Sequence, residues 1–193
     1  MTIKTYFPTS FFVCENILSD SENKKILKRS EEIKKDFNKG GNNFLSDLYN
    51  THTTFDLLKD KHFKNLINIV EQKTNEFSKK MLSNSNYNVS SSWLNFYKKD
   101  DFQEYHQHPD CIFSAVYFIK SEKDDCFLTF ENPWNVYDMK KLKNVDSYNE
   151  LTYEFVKFDP PERSLIIFRS FLRHCVTKKV KKDIRITAAF NLS

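Results

Sequence analysis

Glycine is almost missing from this chain. There are two glycines in 193 residues, adjacent at Gly40-Gly41, so every other turn is built from residues that carry a Cβ. Cysteine is sparse as well: Cys14, Cys111, Cys126 and Cys175 show no CxxC spacing. That argues against the paired-thiol motifs of structural zinc and dithiol redox chemistry. No stretch approaches the ~20 consecutive apolar residues that a membrane span requires. The opening residues, Met1-Thr2-Ile3-Lys4-Thr5-Tyr6-Phe7-Pro8, lack the apolar core of a secretory signal. Reduced thiols and a cytoplasmic location, with no membrane partner, are therefore expected. Charge of one sign is not in excess: 30 basic and 26 acidic residues leave a net +4. This is too mild to argue for a nucleic-acid partner without a localised patch. Internal repeats, low-complexity tracts and linkers are absent.

What the chain has in quantity is aromatic surface. Phenylalanine alone contributes 19 residues, enough for a core built on sheet faces despite a mean hydropathy of −0.63. The length fits one domain. Residues 5–15 read as an edge strand. A helix is predicted from an N-cap within Leu18-Ser19-Asp20-Ser21 to about Phe37, with Ile26, Leu27 and Ile33 at helical spacing. Lys39-Gly40-Gly41-Asn42-Asn43 reads as a break, and 44–58 as irregular. A second helix is predicted over about 60–83, with Phe63, Leu66, Ile67, Val70, Phe77 and Met81 on one face. From residue 91 onward the pattern becomes short β-runs: 91–98, 103–108, 112–120, 126–131, 153–158, 164–168, 172–176 and 184–191. Helices followed by many short strands indicate α+β, with a sandwich or barrel-like β-core. Residues 132–150 read as a long surface loop, a candidate lid beside a substrate entrance.

Chemistry concentrates in Tyr105-His106-Gln107-His108-Pro109-Asp110. On a strand, residues two apart point to the same side, so His106 and His108 can meet one ion. The pair His108 and Asp110 offers a His-x-Asp alternative, which with His174 would complete a two-histidine-one-carboxylate triad. Both readings share His108 and His174. Eleven residues beyond His174, Arg185 and Thr187 share one strand face, where guanidinium and hydroxyl can converge on a carboxylate. Together these features outline a metal site with room for a small carboxylate, the layout of a non-heme Fe(II) oxygenase. His52 and His62 carry no partner motif. Lys178 to Lys182 reads as a solvated hairpin loop, Trp93 and Trp134 as packing residues, and Cys175 as a core residue.

Several segments resemble, in order, the 2-oxoglutarate/Fe(II) oxygenases common in marine bacteria and phages. They are Ser92 to Tyr97, Gln103 to Pro109, Phe113 to Ile119, Leu165 to Phe168, His174 to Val176 and Arg185 to Asn191. The likeness covers about 91–193, with a weaker echo in Tyr6-Phe7-Pro8-Thr9. It departs from the family pattern where glycine is usual: within Lys98-Lys99-Asp100-Asp101, at Arg163 or Ser164, and at Ala115. Arg169 stands where proline is typical. The resemblance implies a double-stranded β-helix (jelly-roll) core over about 91–193, with N-terminal helices from about 1–85 packed on one sheet. It implies Fe(II) held by His106, His108 and His174, with Asp110 still open as a carboxylate ligand. It further implies 2-oxoglutarate on Arg185, with Thr187, Tyr117 and Asn95 as partners, and O2 as oxidant. The implied reaction hydroxylates a small-molecule or peptidyl substrate and releases succinate and CO2. The competing readings are a three-histidine cupin-type dioxygenase without 2-oxoglutarate and a non-catalytic jelly-roll binding protein. A homodimer is compatible with either.

Overall fold

The computed structural model describes residues 2–37, 40, 45–135 and 147–193. Helix α1 (Asp20–Asp36) starts at Ser19, whose side chain accepts from the Glu22 amide while Glu22 reaches back to the Ser19 amide. This capping box satisfies two donors that a helix start leaves unpaired. Ile26 and Ile33 form the buried stripe of α1. Helix α2 (Lys64–Lys80) has no side-chain N-cap and depends on its apolar face, Leu66, Ile67, Val70 and Phe77. It starts later than the sequence indicates because residues 61–63 form a turn, which follows a separate 3₁₀ helix at Leu57–Lys59 capped by Asp56. Most of the Gly40-Gly41 break lies outside the described residues, as does the middle of the 132–150 loop.

Among the described residues, ten strands form two antiparallel sheets. The larger contains β1 (Phe11–Cys14), β2 (Tyr49–Asn50), β3 (Val89–Tyr97), β5 (Phe113–Lys120), β8 (Leu165–Arg169) and β10 (Arg185–Leu192), ordered β1-β8-β5-β10-β3-β2. The smaller contains β4 (Gln103–His106), β6 (Leu128–Glu131), β7 (Phe155–Phe158) and β9 (His174–Val176), ordered β4-β9-β6-β7. The two sheets face each other as a jelly-roll, and the helices cover the outer face of the larger one. Leu94, Phe96, Ile119, Ile186, Ala188 and Phe190 pack under the helices. Tyr97, Phe118, Leu128, Phe130, Ile166 and Phe168 pack between the sheets.

Strand β10 is buried along its whole length, with β3 on one side and β5 on the other. Side chains alternate across a strand, so Arg185, Thr187, Ala189 and Asn191 face the smaller sheet. A strand that buries polar side chains on its inner face is poor for a core and suited to a site.

Two of the positions that lack the family's usual glycine keep a glycine-like backbone. Asp100 has φ of 74° and Arg163 φ of 68°. The left-handed region costs an L-residue roughly 1–2 kcal/mol. Neighbours hold both turns. The Asp100 amide donates to Lys179 O at 2.9 Å, and the Arg163 amide donates to Phe118 O at 2.8 Å.

The Lys178 to Lys182 segment differs from its sequence reading, because Lys179 is fully buried. Its ammonium pairs with buried Asp125, which also accepts from the amides of Val180 at 3.0 Å and Lys181 at 2.7 Å. Burial alone would raise the Asp125 pKa, but Lys179 and these amides hold it below the usual carboxylate range. Removing one member of a buried pair strands the other charge, at a cost of about 3–5 kcal/mol. Asp125→Ala is therefore expected to lower the unfolding free energy obtained from urea titration by that amount. A loss below about 1 kcal/mol, as at an exposed pair, would contradict this account.

Candidate active site

Three imidazoles meet between the sheets. His106 ends β4 and His174 opens β9, and the two are cross-strand partners with ring centroids 4.2 Å apart. His174 also pairs across to Phe130 on β6. His108 reaches the same place by a different route. Strand β4 stops at His106, so His108 lies beyond it and not on a continuous 103–108 strand. Its amide donates to Ser170 O at 3.0 Å, which anchors it to the turn before β9. The ligand-capable nitrogens of His106, His108 and His174 all lie within 4.8 Å of one another. Asp110 is exposed on the turn after His108 and is not part of the cluster.

The surroundings prepare these rings to bind a cation. His106 Nδ1 is 2.8 Å from Glu104 O, and His174 Nδ1 is 2.8 Å from Leu172 O. A carbonyl only accepts, so each Nδ1 carries the proton and the lone pair falls on Nε2. Burial lowers the pKa of all three, to about 4 for His108 and well below the ordinary value for His174; the neighbouring imidazoles add to the shift at His108 and His174. Neutral imidazole is the ligating form. The walls are aromatic. The Trp93 ring stacks on His108 at 5.8 Å, and Phe168 and Phe130 contact His174 at 4.9 and 5.5 Å. Trp93 thus lines the cavity as well as packing. His52, unremarkable in sequence, meets Trp93 edge-on at 4.7 Å.

The cavity runs from the histidines to Arg185. Arg185 is buried, with its guanidinium between the Tyr97 and Phe118 rings at 5.4 and 5.1 Å. Its Nη1 donates to the carbonyl and the sulfur of Cys126, each at 2.8 Å, while its Nε is buried without a partner. No carboxylate pairs with it among the described residues. Asn95 and Thr187 are cross-strand partners in the same cavity, and Asn95 Oδ1 is also buried and unpaired. Tyr97 donates to Gln103 Oε1 at 3.0 Å. The cavity therefore combines three neutral nitrogen donors with an unneutralised buried cation. That donor set suits a divalent ion together with a bound carboxylate.

Tyr117 is corrected. It faces the helices, where its hydroxyl donates to Asn23 Oδ1 at 2.8 Å, and it does not reach the cavity. Its inward neighbours on β5 are Val116 and Phe118. Both faces of β5 are apolar in sequence, so its parity could not be read from composition. Gln103 lines the cavity and Cys126 holds Arg185 at its edge of the site, and the sequence singled out neither. A bulge between Gln103 and His106 breaks the alternation that would have linked Gln103 to the histidines. Cys126 lies in a loop with no periodicity. Cys175, expected in the core, is half-buried, and Trp134, expected to pack, is largely exposed.

This geometry brings three imidazoles and a buried guanidinium into one cavity between the sheets of a jelly-roll. Residues 91–191 match the family model described as "Putative 2OG-Fe(II) oxygenase". The chain belongs to this family and is an Fe(II)- and 2-oxoglutarate-dependent oxygenase, with O2 as the oxidant. It matches none of the curated proteins in sequence. Solved structures share the fold. AviO1 from Streptomyces viridochromogenes Tue57 aligns with a TM-score of 0.70 at 11% identity, covering 96% of this chain and 90% of that one. HygX from Streptomyces hygroscopicus, with nickel, 2-oxoglutarate and hygromycin B bound, gives 0.68 at 11% identity, covering 96% and 83%. The viral collagen prolyl hydroxylase of Paramecium Bursaria Chlorella virus-1, in complex with 2-oxoglutarate, gives 0.57 at 16% identity, covering 94% of each chain.

The depressed histidine pKa sets a pH dependence. The unfolded chain takes up protons near the ordinary value of 6.5, whereas folded His108 does so only near 4. Acid therefore favours the unfolded state between these values. The metal-free protein is expected to hold its full stability above about pH 6.5 and to lose it progressively towards pH 4. Thermal midpoints across that range test this, and a midpoint that rises as pH falls would contradict it.

Proposed function

We propose that His106, His108 and His174 hold the Fe(II), and that Arg185, with Thr187 and Asn95, receives the distal carboxylate of 2-oxoglutarate. The observation that carries this reading is the buried guanidinium, lacking a counter-carboxylate, in the same cavity as three neutral imidazoles. The bound iron supplies the oxidising chemistry: 2-oxoglutarate, O2 and substrate become succinate, CO2 and hydroxylated substrate. The protein's contribution is positional. Nδ1 bonds to main-chain carbonyls orient two of the imidazoles, and Phe130, Phe168 and Trp93 keep bulk water from the histidines. Arg185 would hold the keto acid by its distal carboxylate, and the three histidines would hold the metal at the other end of the cavity.

The same proposal takes the substrate to be a small molecule or a peptidyl side chain, with no nucleic-acid or membrane partner. No helix among the described residues is long and apolar enough to cross a membrane. Action in the cytoplasm, of the host if a phage encodes the chain, and a marine bacterial or phage source are part of this reading.

Succinate release from 2-oxoglutarate in the presence of Fe(II), screened over candidate substrates, tests the activity. Arg185→Ala should weaken 2-oxoglutarate binding about ten- to hundredfold, since a hydrogen bond between charged groups contributes about 1.5–3 kcal/mol. His174→Ala should abolish stoichiometric iron binding. Unchanged affinity in Arg185→Ala would move the carboxylate elsewhere. Full iron content in His174→Ala would remove that histidine from the ligand set.

A further inference from the structure

Among the described residues, Arg185 is the only lysine or arginine lining the cavity, and a rigid charge is useful only if it is aimed. Its guanidinium could rotate about the side-chain torsions or settle against the aromatic walls. The described hydrogen bonds that prevent this both come from one residue. Cys126 O and Cys126 Sγ each accept from Nη1, while Nε is buried without a partner. Cys126 is buried and precedes β6 in a short loop. It is itself held in place, because its neighbour Asp125 is tied to Lys179 and to the amides of Val180 and Lys181. A chain of contacts therefore runs from the Lys179 loop through Asp125 and Cys126 to the guanidinium.

We infer that Cys126 is the positioning residue of the anion slot: its sulfur and carbonyl aim Arg185 at the distal carboxylate of the keto acid. The inference rests on the reading of Arg185 given above. The residue type has a physical reason. An aspartate here would orient the guanidinium equally well, but it would neutralise the charge and compete with the ligand carboxylate. A neutral thiol accepts a hydrogen bond and leaves the full positive charge for the ligand. Burial raises the Cys126 pKa, more than the Arg185 charge lowers it, so the sulfur stays protonated at neutral pH. A thiol is also small and tolerates an apolar wall, here Tyr97 and Phe118.

The test compares two ligands on metal-loaded, oxygen-free protein by calorimetry. One is 2-oxoglutarate; the other is 2-oxobutyrate, a 2-oxo acid without a distal carboxylate. Cys126→Ala should weaken 2-oxoglutarate binding about tenfold, the worth of one lost charged hydrogen bond, and leave 2-oxobutyrate unchanged. Cys126→Ser, which restores an acceptor, should keep the wild-type preference. Cys126→Asp should lose the preference for the dicarboxylate altogether. If Cys126→Ala fails to fold, Cys126→Val fills the volume without an acceptor and carries the same expectation. Equal weakening of both ligands would mark Cys126 as merely structural and overturn the inference. So would unchanged 2-oxoglutarate affinity in Cys126→Ala while Arg185→Ala is weakened. If Arg185→Ala itself leaves the preference intact, the reading of the slot fails first, and Cys126 loses its role with it.

Discussion

Strand β10 has a neighbour on each edge and a packed layer on each face, and the remaining architecture is arranged around it. Its backbone is committed to β3 and β5, so it cannot slide by one residue without exchanging its two faces. In the observed register Ile186, Ala188, Phe190 and Leu192 go under the helices, and Arg185, Thr187, Ala189 and Asn191 go to the cavity. A one-residue slip would put a guanidinium into the helix-facing core. That penalty, several kcal/mol for an unpaired buried charge, makes the register non-negotiable.

The same penalty is present, in part, in the correct register. Arg185 is buried between Tyr97 and Phe118 without a carboxylate partner among the described residues. Cation–π contact and the Cys126 bonds offset some of the lost hydration, but not all of it. The histidines stand in a related condition, buried and neutral beside one another. On the reading proposed above, such a site trades folded-state stability for ligand binding: buried groups left without partners would be completed by a metal and an anion.

Stability lost in the cavity is recovered at its margins. The capping box at Ser19 and Glu22, the Asn23–Tyr117 bond and the buried Asp125–Lys179 pair all lie outside the cavity. The left-handed turns at Asp100 and Arg163 show the same tolerance. The loops keep the conformation that glycine adopts easily, and long-range hydrogen bonds hold residues that pay for it.

Much of this protein follows from local pattern. Both helices and the strands from residue 89 onward fall within a few residues of where periodicity puts them, because alternation and helical spacing are short-range signals. The histidines and the Arg185-x-Thr187 pair were visible because their i, i+2 spacing is a local signal, although only Arg185 and Thr187 share one continuous strand. The tertiary structure alone decided the rest. His108 reaches its partners from beyond a strand end, by a bond to Ser170. Tyr117 turns to the helices because both faces of β5 are apolar, so its parity depends on what packs above it. Lys179 is buried because Asp125 lies 54 residues away in sequence, and Arg185 is aimed by Cys126 at a separation of 59. Local sequence determines how each strand alternates. Only the packing of sheet on sheet determines which side of that alternation becomes the cavity, and which distant loop meets the charge inside it.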